Sequence, residues 1–282
     1  HTAQDDISHL SSETLEHQIT YLMPLLNYFS NANLKNIDSA EDYVYFNVPF
    51  SFLSYPFTWI LPMWISALLL FLLLVFIGIG KRVLHISEIV KGFVPLFGSL
   101  AVSGVITFLG WGLLQAFYPQ YKDILQGFTY NGHDYIAAFI FLSLAIAFIF
   151  YRKSVNEHLT LDHAVAPIFL WIIITFFITF FLPGAGFFII PVYFALIMLA
   201  YYVITQKTNK TLYLILSVPA LIIYVPFIIM LPIGLGLKIL AGSTVLTILV
   251  FSLLLPVFSS FHKKRHWAFM MFLFETGFLL KA

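Results

Sequence analysis

Residues 57–79 read FTWILPMWISALLLFLLLVFIGI, without a single charged side chain. An α-helix rises about 1.5 Å per residue, so about 20 apolar residues cross the hydrocarbon core of a bilayer. The stretch is long enough and apolar enough to do so. It therefore predicts a transmembrane helix.

Seven further apolar stretches have the same character and predict an all-α, polytopic membrane protein with about eight transmembrane helices. The composition agrees, because 61% of the 282 residues are hydrophobic and 10% are charged, against about 25% charged in soluble domains. The last stretch is short, so seven or nine crossings are alternatives. We expect a transmembrane domain over 48–282, with spans near 57–79, 92–117, 134–151, 164–182, 186–204, 211–231, 239–260 and 267–281.

Charges in the loops predict the orientation. The loops on one side carry ten Lys and Arg residues and the opposite side carries four, and the richer side faces the cytoplasm by the positive-inside rule. Both termini then face outward. We expect a bacterial inner membrane with periplasmic termini, because the chain is rich in Phe and Ile and lacks Cys; the alternative is the endoplasmic reticulum or vacuole with lumenal termini. The apolar composition predicts a lipid bilayer as partner, and the net charge of +1 predicts no nucleic acid as partner.

Few side chains inside the predicted spans could carry chemistry. Glu275 is the one carboxylate in the interior of a span, and we expect it to pair with Lys238 or to be solvated at the interface. His158, Asp162 and His163 lie in the segment NEHLTLDH, and we interpret them as a solvated cytoplasmic face rather than a metal site. The small residues of GSLAVSG at 98–104 predict close approach of two helices.

The first 30 residues have a different design. Ser11 is a good helix N-cap, and the apolar residues that follow it recur at helical spacing. They predict an amphipathic helix that packs on a folded domain, with an apolar face made of Leu15, Ile19, Leu22, Leu26 and Phe29.

The residues before this helix carry a resemblance. His1, Thr2 and Asp5 form a His-Thr-x-x-Asp turn, which together with the helix resembles the end of the catalytic domain in the di-zinc aminopeptidase-like metallopeptidases, peptidase family M twenty-eight. The aromatic run DYVYFNVPFSFLSYP at 42–56 is similar to the start of the membrane region in the branch that includes the endoplasmic-reticulum metallopeptidase. The resemblance implies that His1 is a zinc ligand, and His17 has no counterpart in the motif.

The resemblance also implies the organisation and function of the protein. Residues 1–47 would be the C-terminal edge of an outward-facing α/β peptidase domain, and 48–282 would anchor a zinc-dependent exopeptidase that acts on peptides. We expect the sequence to be part of a longer protein, and this part alone to be inactive because the other zinc ligands lie upstream. By spacing alone, His1 is equally consistent with a solvent-exposed terminal residue. The alternative functions are a small-molecule or lipid transporter and a non-catalytic membrane scaffold.

Overall fold

The computed structural model of the chain describes residue 7 and residues 10–33, 41–153, 157–260 and 264–282, without the side chains of residues 153, 157–159, 259–260 and 264–265. A helix is followed by a two-stranded antiparallel hairpin and then by a helical bundle. The elements are α1 (Ser12–Asn31), β1 (Tyr43–Val48), β2 (Ser51–Pro56), α2 (Ile60–Gly80), α3 (Ile86–Phe117), α4 (Gly132–Phe150), α5 (Glu157–Phe181), α6 (Ile189–Thr205), α7 (Lys210–Leu235), α8 (Leu240–Leu253) and α9 (Lys264–Lys281).

Six described helices are long and apolar enough to cross a membrane, namely those in Phe57–Gly80, Ile86–Phe117, Gly132–Phe150, Thr160–Phe181, Pro183–Thr205 and Lys210–Leu235. The chain is therefore a mainly helical integral membrane protein, and six of the predicted stretches are confirmed as long helices. The hairpin is the part of this architecture that the sequence reasoning does not predict.

The last two predicted spans form helices that are shorter or more charged than the six long apolar ones. α8 has 14 residues and ends at Leu253 instead of continuing to 260, because Pro256 follows and disfavours helical backbone at the residue before it. α9 has 18 residues but includes four charged side chains. α8 is nevertheless central, since it packs against α3, α4, α5 and α7.

Small residues on α3 let neighbouring helices approach it, as the sequence predicts for 98–104. A Cβ atom added at Gly98 would lie 2.4 Å from the Phe150 ring, and one at Gly104 would lie 3.2 Å from a Val245 methyl carbon on α8. Ser99 and Ser103 are fully buried in the same stretch. The close approach is confirmed on two sides of α3.

The helices alternate in direction and gather their connections at two ends of the bundle. The hairpin end holds the hairpin, the turn Pro183–Phe188, and the loop before α4, where Gln126 Nε2 donates to the Ile233 carbonyl at 2.7 Å. The opposite end, which we call the Asp162 end, holds the α2–α3 loop and the start of α5, joined by a contact between His85 and Asp162. These two ends are where functional side chains could be exposed.

Candidate functional site

The predicted metal ligand lies outside the described residues. His1, Thr2 and Asp5 all fall in the segment of which the structure gives no description. Among the residues that it does describe, no group of three or more His, Asp or Glu side chains is arranged to hold a metal ion. The zinc-site prediction therefore stays a prediction.

The helix after this motif forms as the sequence predicts. The Ser11 hydroxyl accepts a hydrogen bond from the Thr14 backbone N–H at 3.3 Å, and α1 runs from Ser12 to Asn31. No residue of α1 is buried. Its predicted apolar face is open, with 46% to 63% of each side chain exposed at Leu15, Ile19, Leu22, Leu26 and Phe29. A face of this size on a folded protein marks an interaction surface.

The hairpin is seated on the bundle by one face of β1. Val44 is fully buried, and the Phe46 ring stacks on Phe187 in the turn before α6, with centroids 5.0 Å apart. The hairpin continues into α2 through a hydrogen bond of 3.0 Å from the Phe57 N–H to the Asp42 carbonyl. The hairpin is thus fixed to the bundle where α2 begins.

An aromatic column continues from this seat into the bundle. Phe187 packs edge-on against Phe188, which contacts the Tyr224 ring at 5.1 Å, and Tyr224 stacks on Trp171 at 4.4 Å. Tyr224 donates to the Phe188 carbonyl at 2.8 Å and Trp171 donates to the Leu249 carbonyl at 3.1 Å. These paired rings make a rigid support under the hairpin.

The other face of the hairpin is open and aromatic. Tyr45 stacks on Phe52 at 5.8 Å across the strands, and both rings are more than 60% exposed. At the tip, Phe50 is fully exposed and adopts φ = 66°, a left-handed conformation that costs a residue with a Cβ about 1–2 kcal/mol. An exposed aromatic ring held in a strained turn is typical of a contact site.

Tyr55 lies behind this open face. Its hydroxyl is buried without a hydrogen-bond partner among the described residues, and this burial raises the pKa of Tyr55 to about 12. The group stays neutral at physiological pH, so it acts as an apolar support with one spare donor.

Asp162 organises the opposite end of the bundle. Only 2% of the residue is exposed, and its carboxylate accepts a hydrogen bond from the His85 backbone N–H at 3.2 Å and lies 3.3 Å from His85 Nδ1. Because His85 is the N-cap residue of α3, the carboxylate supplies an acceptor at a helix N-terminus, where negative charge is favoured. The predicted solvated face is therefore wrong for Asp162 and for His163, which is 7% exposed, while the side chain of His158 lies outside the description.

Charged residues at the hairpin end pair differently from the prediction. Lys281 Nζ lies 2.8 Å from Asp134 Oδ1, and Asn131 donates to the Ala282 carbonyl. Within the described part of the chain no ion pair joins Glu275 to Lys238, so that predicted pairing is wrong. These contacts bring the end of α9 to the start of α4.

Buried hydroxyls between α3, α4 and α8 offer the other candidate for chemistry. Ser103 donates to Ser143 at 2.7 Å, Ser143 donates to the Phe139 carbonyl at 2.7 Å, and Thr247 donates to the Ser243 carbonyl at 2.8 Å. Each of these donors is satisfied inside the bundle, as hydroxyls at packed membrane helices usually are. The bond from Ser103 joins α3 to α4, whereas the bonds from Ser143 and Thr247 lie within a single helix. The Ser243 hydroxyl on α8 is buried without a hydrogen-bond partner among the described residues.

With this geometry established, the chain was compared with known proteins. No protein-family model, curated protein or solved structure matches it. The assignment of a function therefore rests on the residues themselves.

Proposed function

We propose that the chain is the membrane-anchoring region of a zinc-dependent, aminopeptidase-like exopeptidase whose catalytic domain lies upstream and docks at the hairpin end. The observation that carries the proposal is α1, an amphipathic helix without a buried residue that begins seven residues after the His-Thr-x-x-Asp motif. The apolar face of such a helix is stable only when it packs on a folded domain. The resemblance of the motif indicates that this domain is a metallopeptidase catalytic domain.

The exposed rings of the hairpin are evidence that the catalytic domain docks at the hairpin end. Its open face presents Tyr45 and Phe52, its tip presents Phe50, and all three rings are more than 60% exposed. The column below the hairpin makes this surface rigid. A rigid and exposed aromatic surface suits a stable contact with a neighbouring domain.

The proposal includes eight crossings, formed by α2 to α9. The ion pair between Lys281 and Asp134 lies at the hairpin end, where α2 begins, and this arrangement supports an even number of crossings. α8 can be short because it is surrounded by protein, and α9 carries its charges mainly near its two ends, where they reach the interface. The loop charges then place the hairpin end outside the cytoplasm.

In the catalytic domain His1 would hold zinc together with ligands from the upstream chain, since the described residues supply no metal-binding group. When bound, the metal pair would activate a water molecule for attack on a peptide bond. The proposed role of this chain is to hold the catalytic domain at the membrane, with α1 packing on that domain and the hairpin seated on the bundle through Val44 and Phe46.

The experiment measures aminopeptidase activity of the intact protein in membranes, with the substitution His1→Ala and the matched control His17→Ala. His17 is exposed on α1 and has no place in the motif. We expect His1→Ala to lose most activity and the control to retain it. Equal activity in the two variants would refute the proposal.

A further inference from the structure

A groove runs between α4 and α9 near the Asp162 end. Its volume is about 420 Å³, and it is lined by Ala145, Ile149, Arg152, Ala268, Phe269 and Phe272. The two alanines form its floor and are 2% and 4% exposed, whereas Phe269 and Phe272 form a wall and are 63% and 50% exposed. The groove is therefore open to the surroundings of the bundle.

Helix spacing explains this shape. Ala145, Ile149 and Arg152 lie at i, i+4 and i+7, so they share one face of α4 and its continuation. The small side chains Ala145 and Ala268 leave room where bulkier residues would fill the space between the helices. Toward the hairpin end the space is closed by Phe141, which packs on the rings of Phe274 and Phe278 at 5.3 and 5.6 Å.

A cation stands at the open end of the groove. Arg152 is exposed, and it has no ion pair with any acidic side chain in the described part of the chain, unlike Lys91, which pairs with Glu88 at 2.7 Å. Positions 264 and 265 of α9, a Lys and an Arg, form the helical turn before Ala268 and Phe269. The loop charges predict that this end faces the cytoplasm.

We propose that this groove binds one anionic phospholipid from the cytoplasmic leaflet, with an acyl chain between α4 and α9 and the phosphate at Arg152. The apolar walls suit the acyl chain, and the exposed Arg152 guanidinium can make two parallel hydrogen bonds to a phosphate. Basic pockets between helices on the cytoplasmic side bind anionic headgroups in this way. The site does not depend on the proposed peptidase function.

The test is native mass spectrometry of the intact chain in detergent, titrated with dioleoyl phosphatidylglycerol or dioleoyl phosphatidylcholine, which differ only in the headgroup. We expect one tightly bound phosphatidylglycerol and weaker binding of phosphatidylcholine. Arg152→Gln should weaken the binding of phosphatidylglycerol by about tenfold and abolish the preference. Lys207→Gln removes an exposed cation from the same end, away from the groove, and should change the binding by less than about twofold.

A second pair of variants tests the acyl chain. Phe272→Ala removes a wall of the groove and should weaken both lipids, while Phe76→Ala, at a ring 78% exposed on α2, should not. Glycerol phosphate alone should not compete, since it lacks the chain. The proposal is overturned if Arg152→Gln retains the headgroup preference, if glycerol phosphate displaces the lipid, or if the groove is filled by a second copy of the chain, seen as a dimer that Phe272→Ala dissociates.

Discussion

Gly92 controls how closely α3 and α5 approach at the Asp162 end, and replacing it with alanine should destabilise the bundle. A Cβ atom at Gly92 would lie 2.8 Å from the Cα atom of His163 and 3.0 Å from its carbonyl oxygen. Both are backbone atoms of α5, so no side chain can rotate to make room. Ordinary contact begins near 3.4 Å, and the two helices would have to separate by about 0.6 Å.

The separation also affects the contact next to it. Asp162 precedes His163 on α5, and its bonds to His85 are already 3.2 and 3.3 Å long, so a further 0.6 Å would break them. Overpacking costs about 1–3 kcal/mol and a lost hydrogen bond costs about 1 kcal/mol. Alanine regains about 0.5–1 kcal/mol of helix propensity, which leaves a net loss of roughly 2 kcal/mol.

Gly112→Ala is the matched control on the same helix. Nothing lies within 4 Å of a Cβ atom at this position, so only the gain in helix propensity remains. In thermal unfolding of the purified chain in detergent, Gly92→Ala should lower the apparent Tm by on the order of 5 °C, and Gly112→Ala should leave it equal or slightly raised. Equal apparent Tm values for the two variants would refute the close approach of α3 and α5.

Three further predictions use other parts of the chain. Asp162→Ala should lower the free energy of unfolding by about 1 kcal/mol because it removes the acceptor of the His85 N–H. Asp162→Asn keeps one oxygen and should cost less; apparent Tm values compare the two variants, and the reverse order would contradict the capping role. Phe50→Gly should stabilise the chain by about 1 kcal/mol by relieving the left-handed backbone, and a lowered Tm would show that the ring packs. Reporter fusions after Lys81 and after Ala282 should lie in opposite compartments, and finding them in one compartment would rule out eight crossings.

Local signals in the sequence predict much of the fold. The long uncharged stretches predict six long helices because length and hydropathy alone determine whether a helix can cross a bilayer. Ser11 and the residue spacing after it predict α1 for an equally local reason. The small residues at 98–104 predict close helix packing, because only side-chain size limits the approach.

The remaining features depend on contacts between distant residues. The bond from His85 to Asp162 joins positions 77 residues apart. The local sequence around Asp162 therefore shows that the residue is acidic but does not show that it is buried. The hairpin had a readable signal: Val44, Phe46 and Val48 alternate with outward residues before a turn at Pro49. The alternation of inward and outward residues is hard to see in the sequence, because the outward residues of β1 are also mostly aromatic. For the zinc site, the sequence predicts one ligand and the fold of the described residues adds none.

The zinc content of the intact protein tests most directly whether this chain belongs to a metallopeptidase. With the upstream domain present we expect about two zinc ions per chain, with His1→Ala we expect the loss of at least one, and with His17→Ala we expect no change. The 282-residue chain by itself should retain no stoichiometric zinc. Full zinc content in the His1→Ala protein, or zinc bound stoichiometrically by the 282-residue chain alone, would contradict the assignment of His1 as a ligand completed by upstream residues.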